Sequence, residues 1–161
     1  MPGVRRTLTA AAAALIALPV VAHPVTGASA GAAFQHPFAG VDHLAAMLAI
    51  GAWAGLAGGR TGRNLPVAFL AALLAGGLAG GAGLPLPGVE TLIALSVLVA
   101  GLCLAAAARP PPAASVALCA LFGVAHGHAH GTELLLHGGP WLAVPAFTAG
   151  SALLLLLGMR A

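Results

Sequence analysis

Residues 64–108 read NLPVAFLAALLAGGLAGGAGLPLPGVETLIALSVLVAGLCLAAAA and hold a single charged side chain, Glu90. The Gly83-Leu84-Pro85-Leu86-Pro87-Gly88 cluster divides the run into two apolar stretches, 65–82 and 89–108. Each approaches the roughly 20 apolar residues that carry a helix across a bilayer. Lipid offers backbone N–H and C=O groups no partner, so stretches of this kind satisfy their hydrogen bonds internally as helices. Outward from this centre the pattern repeats, with apolar stretches at 37–57, 113–136 and 141–158. The breaks are turn-rich: Gly58 to Asn64, Arg109 to Pro112, and His137-Gly138-Gly139-Pro140. The expected fold is all-α, a polytopic membrane helix bundle of about five spans forming one domain over residues 23–161.

Composition agrees. Of 161 residues 60% are hydrophobic and 6% charged, with a mean hydropathy of +1.04, against about 25% charged in a soluble domain. All six basic residues are Arg, and the absence of Lys excludes P-loop ATPases, Schiff-base enzymes and pyridoxal-phosphate enzymes. The sequence pI near 10.3 reports a scarcity of acids, since no basic patch interleaved with aromatics marks a nucleic-acid partner.

Residues 1–22 read as a signal peptide: Arg5 and Arg6 precede the apolar run Thr7 to Leu18, and Pro19-Val20-Val21-Ala22 supplies a cleavage site. Cleavage starts the mature chain at His23, outside the cytoplasm. Arg60, Arg63, Arg109 and Arg160 then all fall on the cytoplasmic side, as short inner loops require. Gly51 and Gly55, Gly76 and Gly80, Gly77 and Gly81, and Gly123, Gly127 and Gly131 recur at four-residue spacing. Such faces let helices pack closely and offer surfaces for a homo-oligomer.

Polar residues within these spans point to function, because a charged side chain near the bilayer centre costs on the order of 2.5–3.5 kcal/mol by insertion scales. The first span opens His36-Pro37-Phe38-Ala39-Gly40-Val41-Asp42-His43 and continues to Met47. On a continuous helix His36 and His43 lie about 20° apart, with Met47 about 40° further round. The fourth span carries His126-Gly127-His128-Ala129-His130-Gly131-Thr132-Glu133, in which His126, His130 and Glu133 share a face and His128 points away. Both stretches sit toward the outer half of the membrane. Together they form a nitrogen and oxygen set suited to Ni²⁺, Co²⁺, Zn²⁺ or Fe²⁺, with Asp42 able to orient an imidazole. Secondary candidates are His23, Met47, His128 and Glu90, the last equally placed to favour its helix N-terminus. Affinity falls on acidification, since a ligating imidazole must be neutral. Cys103 and Cys119 lie within spans and read as small buried hydrophobes.

At these residues the sequence resembles the HupE/UreJ family of small bacterial membrane proteins associated with hydrogenase and urease. The resemblance rests on His36-Pro37 through Asp42-His43 to Met47, on Gly51-Ala52-Trp53-Ala54, and on His126-Gly127-x-Ala129-His130-Gly131-x-Glu133. It implies an inner-membrane nickel or cobalt permease, with His36, Asp42, His43, His126, His130 and Glu133 handling the metal and no organic cofactor. Family members usually carry one span more, whereas this sequence stops at Arg160-Ala161. The leading expectation is a secondary permease independent of ATP. Its rival is a membrane metal-binding or delivery protein without net transport. An intramembrane metalloprotease lacks its His-Glu-x-x-His motif, so no enzyme is expected; a haem carrier is testable by its Soret band.

Overall fold

The computed structural model describes residues 29–136 and 140–161, and every regular element among them is helical. The expected signal peptide, His23 and His137 lie outside the described residues. The helices are α1 (Ala30–Gln35), α2 (Val41–Ala57), α3 (Gly59–Gly81), α4 (Val89–Ala105), α5 (Pro112–Leu136) and α6 (Pro140–Gly158), with a 3₁₀ turn at His36–Phe38. Three helical stretches, Gly59–Gly81, Pro112–Glu133 and Trp141–Gly158, are long and apolar enough to cross a membrane. α1 with its turn and α2 qualify together as one bent span, while α4 has only 17 residues, about 25 Å of helix against roughly 30 Å of hydrocarbon.

The first apolar stretch is therefore not the continuous helix expected over 37–57. Helix begins earlier, at Ala30, where the Ser29 hydroxyl accepts from the Ala32 amide at 3.1 Å. The chain then bends by 73° between Phe38 and Val41. Pro37 contributes no N–H, and Gly40 stands extended (φ −87°, ψ 119°) as the cap of α2. The wheel relation between His36 and His43 is lost at this elbow, because they belong to different limbs.

The expected break at 58–64 also shrinks. Two consecutive glycines make the turn, Gly58 at φ 63° and ψ 178° and Gly59 at φ 55°, and α3 runs on from Gly59. The first turn of α3 starts there because Gly62 packs directly on the Ala54 carbonyl oxygen of α2, a contact that outweighs weak local helix propensity. Gly58 occupies a backbone region that is essentially glycine-only, so Gly58→Ala lowers stability by about 1–3 kcal/mol. A fall in the thermal midpoint of the purified protein checks this.

Two glycine interlocks fix the bundle. Between α3 and α5, a Cβ at Gly123, Gly127 or Gly131 would land on the carbonyl oxygen of Phe69, Leu73 or Gly77 respectively. Reciprocally, Cβ atoms at Gly76 and Gly80 would strike the Val124 and His128 carbonyls. Numbers rise together along both helices, so α3 and α5 run parallel. α2 and α6 pair likewise, Gly51 against Leu155 and Gly55 against Met159, with Gly158 on Leu48. The apolar core between the pairs includes Met47, Ile50, Trp53, Leu65, Phe69, Leu73, Phe147 and Leu155.

Candidate metal centre

The elbow and the N-terminal turn of α2 present His36 and His43 to α5, whose i, i+4, i+7 spacing sets His126, His130 and Glu133 along one face. His36, His130 and Glu133 come together, each offering one ligand atom within 4.8 Å of the others. The His36 and His130 rings meet edge to face, with centroids 4.8 Å apart. His130 Nδ1 is buried without a hydrogen-bond partner, and the Glu133 carboxylate lies 3.6 Å from it. An imidazole nitrogen and a carboxylate oxygen held near each other beyond bonding distance can close on a cation.

A second, deeper group lies one turn toward the N-terminus of α5. His43 and His126 are almost fully buried, and their Nδ1 atoms are 3.3 Å apart. His126 Nε2 lies 2.8 Å from the Ser96 hydroxyl of α4, and His43 Nε2 lies 3.2 Å from the Ser151 hydroxyl of α6. The two groups are joined through His43 and His130, whose ring centroids are 5.0 Å apart. Phe147 walls the line, 4.3 Å from the His130 centroid and 4.8 Å from that of His43. Burial of uncharged imidazoles is tolerable here because each hydrogen-bonds.

The other predicted residues stand apart. Asp42 is half-buried in the first turn of α2, where a carboxylate meets helix N-terminal N–H groups. No hydrogen bond or ion pair among the described residues brings it to the imidazoles. Met47 is fully buried in the apolar core, and Glu90 is exposed in the first turn of α4. His128 turns the other way and donates from Nε2 to the Leu84 carbonyl oxygen at 2.6 Å, tying α5 to the α3–α4 loop. His128→Ala therefore costs about 1 kcal/mol of stability and leaves metal binding intact, as thermal unfolding and cobalt titration of the same preparation check.

Sequence reasoning missed Ser96, Ser151 and Phe147. The serines were detectable as hydroxyls within apolar stretches, which in a membrane helix bond either their own turn or a neighbouring helix. Their partners were not, because α4 meets α5, and α6 meets α2, only in three dimensions.

Comparison with known proteins gives a concordant result. The profile of a family described as HupE / UreJ protein matches residues 11–161. Protein HupE of Rhizobium leguminosarum bv. viciae is 42% identical over 152 residues, covering 91% of this chain and 78% of that protein. No solved structure matches.

Proposed function

This chain belongs to the HupE/UreJ family, and from that premise we propose that it is an ATP-independent permease for a divalent transition metal, nickel or cobalt, supplying hydrogenase or urease maturation. The observation that carries this reading is the convergence of His36, His130 and Glu133 around a buried His130 nitrogen with no other hydrogen-bond partner. Neutral imidazoles replace the hydration shell of the incoming ion, and the Glu133 carboxylate offsets part of its charge. The nitrogen and oxygen donors suit Ni²⁺ and Co²⁺, and Zn²⁺ or Fe²⁺ fit the same chemistry.

In this reading the ion arrives from outside at the elbow. Arg60 and Arg63 follow the α2–α3 turn, Arg109 lies in the α4–α5 connection and Arg160 follows α6, which supports a cytoplasmic location for that end of the bundle. The His-bearing end then faces the periplasm or exterior, with Asp42, Glu90 and Glu133 as its acidic groups. Asp42 would concentrate the cation near His43.

The test is accumulation of radiolabelled nickel at limiting concentration, in cells lacking their own importer, for the wild type and Asp42→Asn, with excess cobalt as competitor. Accumulation dependent on Asp42 supports a permease with an acidic mouth, and competition ranks the metals. Membrane insertion with metal binding and no accumulation would instead favour an accessory protein that holds or delivers metal.

A further inference from the structure

Proton counting along the buried line of hydrogen bonds identifies a second station. Each serine hydroxyl has one hydrogen to donate. The Ser96 hydroxyl donates to the Ile93 carbonyl oxygen at 2.6 Å, and the Ser151 hydroxyl donates to the Phe147 carbonyl oxygen at 3.0 Å. Each carbonyl lies on the serine's own helix, so neither hydroxyl has a hydrogen left for an imidazole. Both hydroxyl oxygens accordingly accept: from His126 Nε2–H at 2.8 Å and from His43 Nε2–H at 3.2 Å. Two neutral imidazoles and two hydroxyls carry four hydrogens between them, and with all four placed in these bonds the remaining contact, Nδ1 to Nδ1 at 3.3 Å, is one of facing lone pairs.

Two facing lone pairs repel unless a cation joins them. Imidazole nitrogens bound to one metal at about 2.0–2.1 Å in tetrahedral geometry stand about 3.3–3.4 Å apart. The His43–His126 separation equals that edge. We infer that Ser96 and Ser151 are positioning residues that hold His126 and His43 as Nε2–H tautomers, so that their two Nδ1 atoms form a two-imidazole station for a divalent transition metal. This station is separate from the His36, His130 and Glu133 group, and the inference rests on the proposed metal-handling function. Both serines are fully buried, so no water competes for their oxygens and the tautomer assignment is enforced by two different helices. The line then offers an ion two stops, linked by the neighbouring His43 and His130 rings.

The experiment has two arms on the full chain in lipid nanodiscs. The first is ¹⁵N NMR of histidine-labelled, metal-free protein. The wild type shows His43 and His126 protonated at Nε2; Ser96→Ala releases His126 into a tautomer mixture, and Ser96→Thr, which keeps the hydroxyl, restores the single form. Ser151→Ala does the same to His43. The second arm is cobalt titration followed by visible absorption. The wild type takes two ions per chain, His126→Ala takes one, and Ser96→Ala takes two with the second weakened about 10–100-fold. Protonation of either ring at Nδ1, tautomers indifferent to both serine-to-alanine changes, or a stoichiometry unaltered by His126→Ala would overturn the inference. Failure of the permease reading shows itself elsewhere, as absent uptake with both arms intact.

Discussion

Replacing His130 with alanine reduces nickel accumulation by at least about 100-fold, a loss beyond the 10–100-fold that removal of a mere supporting group causes. His130 carries the buried Nδ1 near Glu133, its ring neighbours those of His36 and His43, and it packs on Phe147. Its removal deletes a ligand from one group and the link to the other. Glu133→Gln, nearly the same in volume, produces a similar loss because a neutral amide cannot offset the ion's charge. The internal control is His128→Ala, two residues away on the same helix, which retains accumulation because His128 serves the Leu84 carbonyl. The comparison is made by uptake normalised to the amount of protein in the membrane. Equal losses in His128→Ala and His130→Ala would reject this division of roles.

Gly127→Ala prevents normal assembly of the bundle. The added methyl would meet the Leu73 carbonyl oxygen, with the Leu73 carbonyl carbon at 2.7 Å and the Gly77 amide nitrogen at 2.8 Å. All are backbone atoms, which no rotamer change can withdraw, so α3 and α5 must separate over their whole contact. Overpacking of this kind costs about 1–3 kcal/mol where the neighbours are movable side chains, and a rigid backbone places this case at or above the upper end. The same displacement carries His126 and His130 with α5. Gly101→Ala is the counterpart: a Cβ there meets nothing within 4 Å, and the exchange gains about 1 kcal/mol of helix propensity. Thermal unfolding in detergent separates the two, with Gly127→Ala well below the wild type and Gly101→Ala at or above it.

The apolar stretches and the α5 face were legible in the sequence because both depend on local periodicity. His126, His130 and Glu133 repeat with the helix, and His128 falls off the pattern for the same reason. The glycine faces were legible too, since only close backbone approach gives four-residue spacing of small residues a purpose. The elbow was not foreseen, although Pro37 and Gly40 stand in its sequence, because a wheel drawn through them assumes the regularity they break. The Gly58 turn illustrates the reverse error: glycine, threonine and asparagine suggested a long loop, and packing of Gly62 on Ala54 made it helix. Grouping Asp42 with the histidines relied on chain adjacency, which the first turn of α2 does not turn into contact. The serine partners of the imidazoles depend on two pairs of helices meeting, α4 with α5 and α6 with α2, and leave no periodic trace.

The interlocked pairs also fix the order in which the molecule can be completed. α2 closes on α6 and α3 on α5, so both interlocks join helices that are not neighbours along the chain. Contacts distant in sequence form late, and synthesis proceeds from the N-terminus. A nascent chain ending before α5 has His36 and His43 with no partner histidine, and one ending before α6 still lacks Ser151 and Phe147. The ligands are thus all in the chain once α5 is made, and the insertion of α6 completes their setting by adding the Ser151 hydroxyl and the Phe147 wall.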